Sequence, residues 1–100
     1  MTKNKKLEEV ILLLKKKKNF LKKKYKITEI GVFGSYVRGE QTQNSDIDIL
    51  IDKDEAIGLL RLANLQNYLS SQIGIKVDLA IKKSLKPQID KSILSEVIYV

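Results

Sequence analysis

Two carboxylates interrupt an apolar run: Asp46 and Asp48 alternate with Ile47, Ile49, Leu50 and Ile51 in the stretch SDIDILI. Alternate residues of a strand point to one face, so the two aspartates share a face and the three isoleucines share the other. Burying such a carboxylate costs on the order of several kcal/mol unless something compensates it. The usual compensation for a pair is a divalent cation with oxygen ligands. The chain has no cysteine and no histidine, which removes thiolate and imidazole ligands and the commonest general base. Oxygen-only ligation favours magnesium, manganese or calcium.

A third carboxylate has the same placement. In VDLAI, Val77, Leu79 and Ile81 share one face of an expected strand, and Asp78 and Ala80 share the other. If the two strands are neighbours, Asp46, Asp48 and Asp78 can converge. Like charges that close raise each other's pKa unless a cation lies among them. Upstream, Gly34 and Ser35 end a β-rich run. Glycine removes the side chain where a phosphate must approach backbone, and serine offers an amide and a hydroxyl at a helix start. Arg38, one turn on, can add a charge-assisted contact to the same anion. Metal ions facing an anion-binding turn are the parts of a phosphoryl or nucleotidyl transfer site. Each part also has a plainer reading: a simple Gly-Ser turn, local turn chemistry at Asn44-Ser45-Asp46, a surface Arg38, an ion-paired Asp78. Asp48 has no turn role to fall back on.

The surrounding elements must hold these residues in place. From Lys5 to Lys24, Leu7, Val10, Ile11, Leu14 and Leu21 recur at helical steps with lysines opposite, which predicts an amphipathic helix, with Asn19 in mid-pattern counting against one unbroken run. Ile27 to Phe33 predicts the first strand, a short helix follows Ser35, and Glu40 to Ser45 reads as a polar loop. Ile47 to Ile51 predicts the second strand and Asp52 to Glu55 a charged turn. Ala56 to Ser71 predicts a helix whose stripe is Ile57, Leu60, Leu62, Ala63, Leu65 and Leu69, closed by Gly74. Lys76 to Ile81 predicts the third strand. Ser84 and Pro87 open a last helix to about Glu96, before an apolar tail from Val97 to Val100. The order α-β-(short α)-β-α-β-α predicts an α/β (α+β) fold, a small mixed three-stranded sheet packed with helices.

With 100 residues, the expectation is one domain spanning 1–100. No apolar run approaches the ~20 residues of a membrane span, and Val10 to Leu14 is too short for a secretory signal; the expected location is cytoplasmic. Of the net charge of +7, residues 1–26 carry +9 and the rest −2. A basic helix can attract nucleic acid. Phe20 and Tyr25 are the aromatic residues among its lysines, too few for a row of stacking platforms, so a solvated helix face is the preferred reading and direct nucleic-acid binding is not expected.

Gly34-Ser35, ten intervening residues and Asp46-Ile47-Asp48 match a G-S-x10-D-x-D signature. With Arg38-Gly39 between them, Val77-Asp78-Leu79 downstream and a closing segment from Leu85 to Val100, the chain resembles the minimal nucleotidyltransferases of the DNA polymerase β-like superfamily. Val37 stands where alanine is common, which leaves the signature intact. The resemblance implies a polymerase β-like fold in which Asp46, Asp48 and Asp78 hold two Mg2+ ions, and Gly34 and Ser35 hold the triphosphate of ATP. It further implies an antitoxin that transfers AMP to a tyrosine of its partner, a HEPN-domain ribonuclease toxin. Two alternatives stay open: a non-catalytic antitoxin that neutralises its partner by binding, and a nucleotidyltransferase acting on a small molecule. The latter would normally want a second domain to enclose its acceptor.

Overall fold

The β-rich segment Ile27–Phe33 (β1) and the apolar segment Ile47–Lys53 (β2) pair antiparallel at the centre of a four-stranded sheet. Val77–Ile81 (β3) adds to β2 in parallel, and Ile98–Tyr99 (β4) adds antiparallel to the free side of β1. The sheet is therefore mixed, ordered β3-β2-β1-β4. The computed structural model describes residues 5–53, 57–84 and 87–100. Its helices are Lys5–Tyr25 (α1), Ser35–Arg38 (α2), Leu59–Ile73 (α3) and Pro87–Glu96 (α4).

The isoleucine face of β2 is the floor of the core. Ile47, Ile49 and Ile51 pack in one cluster with Ile30, Val32 and Val77 of the neighbouring strands. Leu7, Val10, Leu14, Leu21 and Tyr25 of α1 and Leu65, Leu69 and Ile73 of α3 complete that cluster. Transferring such side chains from water is the main term holding the two layers together, about 1.5–3 kcal/mol for each fully buried one. A register shift between Ile27 and Glu29 inserts Thr28 as an extra residue. That bulge lets Ile27 face the core alongside Ile30, which simple alternation forbids.

Helix α1 runs unbroken through Asn19, whose exposed position leaves the packed stripe intact. Lys26 then takes a positive φ of 59° to turn the chain into β1. Helix α3 differs from expectation in register. Its buried stripe is Leu65, Leu69 and Ile73, while Leu60 is 77% exposed and Ala63 is exposed too. At roughly 100° per residue, Leu60 and Ala63 lie roughly 140–160° round from Leu65 and cannot share its face. The helix ends on Gly74, whose φ of 80° makes the left-handed cap. Of the expected charged turn, Asp52 extends β2, whereas Asp54, Glu55 and the expected helix start at Ala56 lie outside the described residues. Ser84 closes a 3-10 turn from Lys82, and Leu85 and Lys86 also lie outside the description.

The count of three strands is corrected to four. The apolar tail is not a loose end: Val97 leaves α4, and Ile98 and Tyr99 pair with Val32 and Gly31. The Val100 amide donates to the Ile30 carbonyl at 3.0 Å. Gly31 makes this possible, since a Cβ there would stand 2.6 Å from Val97 Cγ1 and 2.9 Å from the Ile98 carbonyl oxygen. Two residues are too few to show the period-2 signal by which a strand is recognised. Among the described residues, no helix is long and apolar enough to cross a membrane.

Candidate active site

The face of the sheet opposite the core carries the aspartates. Parallel pairing of β2 with β3 sets Asp48 directly opposite Asp78, as Ile47 is set opposite Val77 and Ile49 opposite Leu79. The antiparallel pairing of β1 sets Phe33 opposite Asp48 on the other side. The residue after Phe33 is Gly34, so the turn that leaves β1 arrives beside the Asp48 carboxylate. Gly34 has φ 84° and ψ −155°, and a Cβ built on it would run into Asp48 Oδ2. Both the backbone conformation and the approach demand glycine here.

Ser35 then opens α2, a single turn. The Val37 and Arg38 amides donate to the Gly34 carbonyl at 3.0 and 3.2 Å. The Ser35 and Tyr36 amides sit in the first turn, where a helix supplies no acceptor of its own. Gly39 ends the turn with a left-handed φ of 73°. Thr42 to Ser45 closes on itself: the Thr42 amide donates to Ser45 Oγ at 2.8 Å and the Ser45 amide to the Thr42 carbonyl at 3.1 Å. Asn44 and Ser45 thus do turn work, and the chain is delivered to Asp46 at the mouth of β2.

The electrostatics of Asp48 follow from this crowding. Its carboxyl is pushed up to about 6, first by burial, then by the charges of Asp78 and Asp46. A hydrogen bond shared with Asp78 acts the same way, and only Arg38 pulls in the opposite direction. Tyr36, buried under the turn, has its phenol raised by burial and by the Asp46 charge. Among the described residues, no three His, Cys, Asp or Glu side chains already form a cage able to hold an ion. Asp48 and Asp78 are therefore the paired element, with Asp46 within electrostatic reach of them. An oxygen-only set with an ionisation penalty at its centre fits a hard cation. Magnesium in particular binds through one or two carboxylates and takes its remaining ligands from water and substrate phosphate.

Arg38 has a setting that its sequence position did not reveal. Its Nε donates to Glu40 at 2.7 Å, and its Nη1 donates to both oxygens of Glu96 at 3.1 Å. The Gly34 amide donates to the same Glu96 carboxylate at 2.9 Å. Glu96 lies 62 residues from Gly34, so no local spacing could have marked it. Tyr36 was adjacent to the motif and legible only as a turn residue. A cavity of about 160 Å³ is lined by Lys6, Glu9, Val10, Leu13, Gln72 and Ile73 and includes none of these residues.

Residues 14–100 match the family described as "Nucleotidyltransferase domain". The protein adenylyltransferase MntA of Thermococcus cleftensis is 48% identical over 94 residues, covering 94% of this chain and 95% of that protein. A solved minimal nucleotidyltransferase superposes with a TM-score of 0.72 at 30% identity, covering 89% of this chain and 93% of the other. A crystal structure of a toxin–antitoxin with AMP-PNP superposes with a TM-score of 0.70 at 27% identity, over 84% of this chain and 69% of that one. The paired strands, the glycine-bound turn and these likenesses agree: the chain belongs to the nucleotidyltransferase domain family, among its minimal, MntA-like members.

Proposed function

We propose that the protein is a magnesium-dependent protein adenylyltransferase that acts as an antitoxin. In this reading it works in the cytoplasm as one domain over residues 1–100 and moves AMP from ATP to a tyrosine hydroxyl of a partner HEPN-domain ribonuclease. The observation that carries the reading is the in-register pairing of Asp48 with Asp78 beside Gly34. It makes a carboxylate pair that repels itself unless a cation joins it, next to backbone that only a side-chain-free residue could bring so near.

The roles follow from position. Asp46, Asp48 and Asp78 would hold two magnesium ions, which supply a lowered pKa at the attacking hydroxyl and charge neutralisation at the leaving pyrophosphate. Gly34 would let the triphosphate approach backbone, Ser35 would offer it an amide and a hydroxyl, and Arg38 a guanidinium. The acceptor oxygen forms a bond to the α-phosphorus, the bond from that phosphorus to the bridging oxygen breaks, and the hydroxyl proton passes to solvent as pyrophosphate departs. Asp78 stands at the outer side of the pair, exposed, where an incoming hydroxyl can reach it. The site lies on an open sheet face, which leaves the acceptor to be supplied by a partner. The toxin–antitoxin neighbour with AMP-PNP supports a toxin as partner and an adenosine triphosphate as nucleotide.

The test is incubation of the purified chain with ATP, magnesium and the product of its neighbouring gene, followed by intact mass measurement. AMP additions to the partner with the natural chain, absent with Asp48→Asn, are expected. Equal behaviour of the two chains removes the enzymatic reading. If Asp48→Asn instead neutralises the partner fully, the protein is an antitoxin that acts by binding.

A further inference from the structure

We infer that Glu96 is a positioning residue for nucleotide binding: one carboxylate from the chain's end ties both ends of the Gly34–Arg38 turn and holds it in its working shape. The inference rests on the reading of that turn as the triphosphate site.

Three observations meet at this residue. The first is the contact itself. Glu96 Oε1 accepts from the Gly34 amide at 2.9 Å, and both its oxygens accept from Arg38 Nη1 at 3.1 Å. The amide at the start of the turn and the side chain at its end are thereby fixed to one point, with Glu40 holding Arg38 Nε from another side at 2.7 Å. A guanidinium gripped at two of its nitrogens has little freedom left, and its plane is set by the carboxylates rather than by solvent.

The second is the placement of Glu96 as the last residue of α4. A carboxylate at a helix C-terminus opposes the helix dipole, so the position is unfavourable by itself and is offset by the three bonds it makes. The third is the anchoring of the backbone that carries it. Immediately after Glu96 the chain returns to β1, where Val97 Cγ1 lies over Gly31, Ile98 and Tyr99 pair with the strand, and the Val100 amide binds Ile30. Glu96 is thus braced on the same strand that delivers Gly34. Its side chain is only 22% exposed, against 47% for Arg38. The brace is more enclosed than the group it holds.

A carboxylate near an anion site could also act as a competitor that the triphosphate must displace, and the two roles give opposite signs. Positioning predicts that Glu96→Ala weakens binding of AMP-PNP with magnesium by about tenfold, the worth of one lost orienting contact. It also predicts a raised KM for ATP, with the KM for the protein acceptor unchanged. Glu96→Gln, which keeps an acceptor for the Gly34 amide, should recover part of the loss. Glu40→Ala, which frees Arg38 Nε and leaves Gly34 held, should cost less than Glu96→Ala.

Calorimetric titration of the full chain with AMP-PNP and magnesium, alongside thermal melts of each variant, reads this without turnover. Tighter binding by Glu96→Ala, or equal binding by a folded Glu96→Ala, overturns the positioning role while leaving the adenylyltransferase reading in place. An equal rise in both KM values overturns it as well, because that marks a general loss of structure. If the natural chain itself binds no AMP-PNP with magnesium, both this role and the nucleotide site fall. AMP-PNP binding by the natural chain without AMP transfer to the partner removes the proposed acceptor and leaves the role of Glu96 to the titration.

Discussion

Replacing Asp48 with asparagine should make the metal-free protein more stable while abolishing its chemistry. The Asp48 carboxyl is pushed up to about 6 from 3.8 by burial and by Asp78 and Asp46. An acid with a raised folded-state pKa binds its proton more tightly when folded, so folding is penalised wherever that proton has been lost. The penalty is absent below 3.8, grows as the pH climbs toward 6, and is complete above it. At about 1.36 kcal/mol per pH unit, this interval amounts to about 3 kcal/mol. Asp48 is only half-buried, and solvent screening reduces that to roughly 1–1.5 kcal/mol. For a domain of this size the gain is a rise in melting temperature of roughly 4–12 °C. Melts of both chains with a chelator, from about pH 4 to about pH 8, should show Asp48→Asn pulling ahead as pH rises. Millimolar magnesium should narrow or reverse the gap, since a ligand that binds only the folded natural chain stabilises it. If Asp48→Asn melts no higher than the natural chain at the alkaline end, or its advantage persists unchanged at the acid end, the account of Asp48 as a strained, cation-seeking carboxylate is wrong.

Gly34→Ala should lose both stability and transfer. The residue would have to keep a φ of 84° and place its Cβ against the Asp48 carboxylate, a strain on the order of 1–3 kcal/mol that moves the ligand as well as the turn; melts and AMP transfer measure the two effects. Gly31→Val should detach β4, because the nearest obstacle includes the Ile98 carbonyl at 2.9 Å, which is backbone and cannot swing aside. Faster hydrogen exchange at the Val100 amide should report it, and a cost on the order of 1–3 kcal/mol is expected.

Much of the candidate site was legible as chemistry out of place. Asp46 and Asp48 stood out because isoleucines surround them, and Asp78 because valine and leucine flank it. Period-2 alternation then assigned all three to the face away from the core, and the structure has Asp48 and Asp78 side by side on it. The first strand, the span of α1 though not its continuity through Asn19, the Gly74 cap and the end of α4 at Glu96 followed from equally local signals. The failures were those of phase and reach. The stripe of α3 was assigned with Leu60 and Ala63 included, because a segment rich in leucine fits more than one helical phase until a sheet selects one.

The sequence by itself determined which residues carry charge into an apolar strand, and that with no cysteine or histidine in the chain any cation among them would meet oxygen ligands. These are statements about residue type and period, and they need no partner in space. Only the tertiary structure decided that β3 runs parallel to β2 in the register that pairs Asp48 with Asp78, since alternation fixes a face and not a neighbour. Only the tertiary structure turned the apolar tail into β4 and brought Glu96 to Gly34 and Arg38. A carboxylate sixty-two residues away in the chain leaves no local trace of its destination. Its place is set by β4, which returns the chain to β1 immediately after it.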